Sequence, residues 1–237
     1  MRPEIKIKRI YLAGAITAVI VICLTLLDIV IGSASGGDLS SIPRSAVDRF
    51  VQFQENRLLG LFYLDFLNFT VSIIMIPVFF ALFVAHNNEN NPFALLALLI
   101  FSIGTTVFIA NNTATPMLDL CQKYIAATSA DQRNLFAAAG EALIAKGAHG
   151  SYGAFPGFIM ITISEALISI VMLLERVFSR ATGYIGLSGT ILLMIYLILV
   201  TFMPAAKEAA MIFAAPGGIL SIVWMIMFTG KLFRLAR

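Results

Sequence analysis

Apolar residues fill this chain in six long blocks, at roughly 10–32, 59–85, 92–112, 153–174, 182–202 and 208–230. Each matches the roughly 20 residues that a helix needs to cross a bilayer core. In lipid the backbone must satisfy its own hydrogen bonds, so each block predicts a transmembrane α-helix. Pro77 in the second block and Pro216-Gly217-Gly218 in the sixth predict bends.

Polar positions set the connections. Two are long, 33–58 and 113–152, and the others are short. In the first long loop Ser41 and Pro43 have the spacing of a helix start. The run from Ser45 to Leu59 alternates charged residues with Phe50, Val51 and Phe53, which predicts one interfacial helix leading into the second span. In the second long loop Ser129 and Gln132 have capping-box spacing. Phe136, Ala139 and Leu143 follow at helical spacing, which predicts a surface helix over 130–146, ended by Gly147 and Gly150. Residues 86–91 form a polar turn, and Gly150 to Gly153 read as a flexible glycine-rich loop.

The expected fold is therefore all-α: a polytopic integral membrane protein, a six-helix transmembrane bundle with a short amphipathic helical cap on the outer side, in one domain over 1–237. Composition agrees. Apolar residues make up 59 % of the 237 and charged residues 12 %, about half the usual share in soluble domains. The net charge of +3 lacks the dense basic face of a nucleic-acid binder, so no nucleic-acid partner is expected. Two cysteines, Cys23 and Cys121, read as unpaired small apolar residues. Arg2, Lys6, Lys8 and Arg9 precede the first span, as in a signal peptide, but the apolar block is longer than a signal's core; a retained anchor is expected.

Charge orients the bundle. The termini and short even loops hold nine Lys/Arg, against Lys207 alone in the short odd loop, and the long loops weigh least. Both termini are expected in the cytoplasm, with 33–58 and 113–152 outside. The two halves show no convincing repeat.

Several polar residues fall inside the blocks. Asp65, Asn68 and Ser72 lie at i, i+3 and i+7 on one face of the second span, and Thr162, Glu165 and Ser169 repeat that spacing on the fourth. Asn111 and Asn112 end the third span, and Asp28 lies near the outer end of the first. Charges at mid-membrane cost about 2.5–3.5 kcal/mol each on insertion scales, so such groups face protein or water. Asp65, Asn68, Asn111, Asn112 and Glu165 are the candidate ligand-binding set, lining an outward pocket with Glu165 at its floor. Asn68, Ser72, Thr162 and Ser169 also suit hydrogen bonds between helices, and Asp28 reads as solvated at the interface.

No catalytic, cofactor or metal site is expected. His86 and His149 flank different spans on opposite sides and cannot share one ion. Ser151 beside His149 lacks the nucleophile-elbow pattern. Trp224, Tyr11, Tyr63 and Tyr184 are expected as interface anchors.

Three stretches carry a resemblance: Leu59 to Asp65; Ala110-Asn111-Asn112 through Gln122-Lys123-Tyr124 to Gly140-Glu141-Ala142-Leu143; and Phe178 to Tyr184. They resemble the domain-of-unknown-function 4386 family of prokaryotic multi-span membrane proteins. That resemblance implies a six-span bundle in a prokaryotic plasma membrane and no assigned activity.

The leading expectation is a membrane-embedded binding, regulatory or scaffold protein with an outward polar pocket for a small or lipidic ligand. The alternative is a small transporter or channel coupling cations or protons through Asp65 and Glu165. A lipid-acting enzyme with either acid as base comes third. Membrane lipids, a small-molecule or ion ligand and a second copy of the chain are the partners considered.

Overall fold

The computed structural model describes residues 3–34, 45–86 and 92–237, so the Ser41 cap with Pro43 and the turn residues 87–91 lie outside the described residues. Among the described residues the regular structure is all helical, with no strands. Its helices are α1 (Pro3–Ala34), α2 (Ala46–Glu55), α3 (Arg57–Phe62), α4 (Phe66–Ala85), α5 (Phe93–Asn111), α6 (Ala114–Ala126), α7 (Ala130–Gly147), α8 (Phe155–Glu175), α9 (Arg180–Phe202) and α10 (Lys207–Ala236). Six of these segments are long and apolar enough to cross a membrane; the third runs on from α5 through α6.

The six long helices close into a ring in chain order. α1 packs on α4, α4 on α5, α5 on α8, α8 on α9, α9 on α10, and α10 returns to α1. Small residues permit these contacts, because lipid offers no hydrophobic drive and close approach must supply the attraction. A β-carbon on Gly14 of α1 would overlap that of Ala81 on α4. One on Gly157 of α8 would sit 2.7 Å from the Phe108 nitrogen of α5. Gly183 and Gly186 bring α9 onto α8, and Gly189 brings it onto α10. Lys8 Nζ donates to the Arg237 carbonyl oxygen at 2.6 Å, so both chain ends lie at one end of the ring, here the tail end.

α2, α3, α6 and α7 form the cap over the opposite end. Amphipathic α2 starts at Ser45, whose hydroxyl accepts from the Asp48 amide at 3.1 Å. Glu141 of α7 adds a second acceptor, taking the Ala46 amide at 2.6 Å. Ala46, Phe50 and Phe53 of α2 bury against Leu64, Ala114, Met117 and Cys121. α7 starts as its spacing predicts, with Ser129 Oγ accepting from the Gln132 amide. The Gln132 side chain reaches back one residue further than a capping box, to the Thr128 amide.

The apolar core fills only part of the ring. It gathers Ala15, Ala18, Met75, Phe79, Leu82, Ala97, Phe101, Ile168, Met172, Trp224 and Phe228, mostly in the tail-end halves of their helices. Phe79 and Phe101 stack at 3.9 Å between centroids. Trp224 belongs to this core at 2 % exposure, edge-on to Phe228, so it is not an interface anchor; the small residue Gly186 opens room for its ring. Tyr184 is exposed, as an anchor should be.

Three local departures from the sequence reading matter for the site. The expected helix over 45–59 breaks at Asn56, which closes α2 and caps α3 through its own Oδ1 on the Leu59 amide. The second span begins at Phe66, not near residue 59, because the chain turns at Tyr63 to Asp65. The stretch 113–152, expected as a loop with one helix, holds an additional helix, α6, before α7.

Candidate functional site

The turn between α3 and α4 builds the site. Asp65 has φ 60° and ψ 26°, a left-handed conformation that Asp tolerates better than most residues. It stands at the N-cap of α4 yet makes no side-chain cap. Its carboxylate is directed elsewhere: Oδ1 accepts from Asn68 Nδ2 at 3.0 Å, and Oδ2 lies 3.1 Å from His149 Nδ1. The helix break frees main-chain carbonyls, and Asn112 Nδ2 donates to those of Leu64 (3.0 Å) and Asp65 (3.4 Å). Asn112 Oδ1 also accepts the Ala114 amide at 3.1 Å. Asn112 thus holds the Asp65 turn and starts α6.

His149 comes from the glycine-rich loop, and that loop is packed rather than free. A β-carbon at Gly147 would strike the Asn111 carbonyl oxygen, and one at Gly153 the Lys146 carbonyl oxygen. Gly150, at φ 77°, lies against Val200. Ser151 Oγ donates to the Lys146 carbonyl at 2.9 Å, and Lys146 Nζ to that of Ala110 at 3.2 Å. These close approaches, which larger residues would block, carry His149 to Asp65 on one side and to Tyr196 of α9 on the other, where Nε2 and the phenol oxygen are 2.8 Å apart. Phe158 of α8 meets the imidazole edge-on.

Electrostatics follow from that geometry. The Asp65 carboxylate raises the His149 imidazole well above its ordinary value, against the opposing effect of burial, and Tyr196 adds to the rise. His149 is therefore protonated near neutral pH. Both ring nitrogens then donate, Nδ1 to Asp65 and Nε2 to the Tyr196 oxygen. Asp65, just before the membrane-spanning part of α4, is driven up by burial, but His149, Asn68 and Arg49 outweigh that and hold it below its ordinary value. The Asp65 side chain is 9 % exposed and that of His149 35 %, so the pair is reachable from one side.

Two further charges stand close by. Arg49 of α2 is 5 % exposed and within electrostatic reach of Asp65; its guanidinium carbon is 6.0 Å from the Tyr63 ring centre. Its Nη1 donates to Gln52 Oε1 at 3.1 Å, while Nε has no partner among the described residues. Asp28 of α1 lies within electrostatic reach of both Asp65 and His149.

The structure brings together Asp65, Asn68 and Asn112 of the sequence-derived set. Asn111 is adjacent, but its amide donates back to Val107 of its own helix. Glu165 lies midway along α8, and among the described residues no hydrogen bond or ion pair joins its carboxylate to the others. Ser72, Thr162 and Ser169 donate to carbonyls of their own helices, not across to neighbours. His149, Tyr196 and Arg49 are the residues that sequence reasoning left out. Among the described residues no three His, Cys, Asp or Glu side chains could hold a metal ion.

A second His–acid pair lies at the tail end, where His86 Nδ1 is 3.0 Å from Glu175 Oε2. His86 is buried, and among the described residues neither its Nε2 nor Glu175 Oε1 has a partner. Burial lowers the His86 imidazole despite the opposing pull of Glu175. Phe178 lies 5.2 Å from the ring.

The chain matches no protein-family model, no curated protein and no solved structure.

Proposed function

We propose that this multi-pass membrane protein binds a small or lipidic ligand at its cap end, in a binding or regulatory role. The observation that carries the reading is the Asp65–His149–Tyr196 chain: a charged pair fixed at both ends by packed turns, yet about a third exposed at the imidazole. A purely structural pair would be better covered or would lie on the free surface, where ion pairs contribute little. The cap helices stand over this end and shield it on one side. In the proposed orientation the cap faces outward from a plasma membrane and both termini are cytoplasmic, on the strength of the charge distribution of the short loops. Membership of the domain-of-unknown-function 4386 family is part of the proposal and adds no activity to it.

Native mass spectrometry of protein extracted from its membrane tests this. The expected result is a retained non-covalent adduct on the wild type, diminished in Asp65→Asn and His149→Gln and unchanged in Lys123→Ala on the exposed cap. Adducts that are the same in all four proteins would overturn it.

One observation favours a second reading. Glu165, at mid-span without a side-chain partner among the described residues, lies between the two His–acid pairs along the bundle, as a proton- or cation-coupling carboxylate would. Ion flux in proteoliposomes that disappears in Glu165→Gln would select transport over binding.

A further inference from the structure

Positive side chains gather where the two ends of the chain meet, at the tail end of the ring. Lys6, Lys8 and Arg9 open α1, and Lys231, Arg234 and Arg237 close α10. The 2.6 Å bond from Lys8 Nζ to the Arg237 carbonyl oxygen joins these two helix ends, and α1 and α10 pack on one another. Arg234 stands one turn along α10 from that contact, about 4.5 Å of helix rise. Over residues 3–12 and 227–237 the sequence has a single acid, Glu4. Lys231 is half-buried and the other five basic residues are exposed. Lys8 gives one of its three donors to Arg237 and keeps two. Like charges on one seam repel, so an anion from outside the chain stabilises it.

The surface that leads away from these charges is apolar on both helices. Lys8, Leu12 and Ile16 follow one another at i, i+4 and i+8 on α1, and all three are exposed. On α10 Ile219, Val223, Ile226, Gly230 and Arg234 form one exposed stripe at helical spacing. Each helix therefore carries its charge at the tail end of a lipid-facing stripe.

We propose that the seam of α1 and α10 binds an anionic phospholipid, with its phosphate on Lys8 and Arg234 and its acyl chains along the two stripes. A phosphate accepts two parallel hydrogen bonds from a guanidinium and another from an ammonium group. A soluble anion would answer the charges and leave the stripes uncovered; an uncharged or zwitterionic lipid would cover the stripes and leave the charges unmatched. The seam lies at the opposite end of the bundle from the cap, so this site stands independently of the cap-end binding role.

Native mass spectrometry of the whole protein in an uncharged maltoside detergent tests it, titrated with phosphatidylglycerol, phosphatidylcholine or inorganic phosphate to give a Kd for each. Phosphatidylglycerol should bind at least about tenfold tighter than either of the others. Lys8→Gln and Arg234→Gln should each weaken it about fivefold, the share of one basic residue at an anionic surface. Lys8→Arg should retain it. Arg176→Gln, at the same end but in the turn after α8, should weaken it less than about twofold, because a charge off the seam is screened. Phosphatidylcholine or phosphate binding as tightly as phosphatidylglycerol overturns the anionic lipid. Equal losses in Arg176→Gln and Arg234→Gln overturn the seam in favour of diffuse attraction, and binding of none of the three probes overturns the site.

Discussion

The two ends of the molecule hold the same two groups at nearly the same distance and use them differently. At the cap end His149 and Asp65 are 3.1 Å apart; at the tail end His86 and Glu175 are 3.0 Å apart. His149 is raised and charged, whereas His86 is lowered and neutral. The difference lies in what surrounds each pair. His149 has a partner on each nitrogen, and its acid is itself held ionised by Asn68 and Arg49. Among the described residues His86 has one partner and its other nitrogen is buried without any, and its side chain is 0 % exposed. Burial penalises the charged imidazole, and a single carboxylate does not offset it there. One pair is doubly partnered and partly open, and the other is a buried seam between α4 and α8.

The comparison can be broken from the tail end with the largest effect. His86→Ala leaves Glu175 with no partner among the described residues; the unsatisfied buried acceptor costs about 1–3 kcal/mol and the cavity left by the ring adds about 2 kcal/mol. Equilibrium unfolding in mixed micelles should show that loss. Asp65→Asn at the cap should cost less, about 1–3 kcal/mol, because water reaches His149 and replaces part of the interaction. Equal losses at the two ends would erase the distinction.

Gly147→Ala separates the ends in another way. Its β-carbon would overlap the Asn111 carbonyl oxygen, so the end of α7 must move and carry His149 off Asp65. Overpacking of this kind costs about 1–3 kcal/mol. The variant should lose the cap-end pH response and keep that of His86. Tyr196→Phe is the mildest change: it removes one hydrogen bond, about 0.5–1.5 kcal/mol, and should bring the His149 titration down without abolishing the pair.

The pH dependence has opposite signs at the two ends. His149 is raised in the folded state, so its contribution is full below about pH 6.5 and fades as pH rises through the raised value. His86 is lowered, so its contribution is full above about pH 6.5 and fades as pH falls through the lowered value. In thermal unfolding from pH 4 to 9, His149→Gln should flatten the alkaline limb alone and His86→Gln the acidic limb alone.

How legible this was in the sequence depends on the range of the interaction. Six helices follow from unbroken apolar blocks, and the α7 start follows from the local signal at Ser129, whereas the cap of α2 is Ser45, for which the sequence reading named no signal. Periodicity also placed Asp65 and Asn68 on one face, and they do bond. The break at Tyr63 to Asp65 was hidden because Leu59 to Leu64 is as apolar as a span, and α6 because its Pro116 and mixed polarity read as loop. His149, Tyr196 and Arg49 reach Asp65 from α9, from α2 and from the loop before α8, over separations that no local pattern encodes. The glycines of 150–153 suggested freedom, whereas their lack of side chains serves close packing. One clue was present: His149 is the lone histidine on the side of the bundle where Asp65 was expected.

The most direct test of the account is an NMR titration of the two imidazoles in histidine-labelled protein, with His149→Gln for assignment. The account predicts one ring titrating well above pH 6.5, absent from the variant, and one well below it. Two rings titrating together near pH 6.5 would contradict it, since the cap end would then hold no preset charged pair.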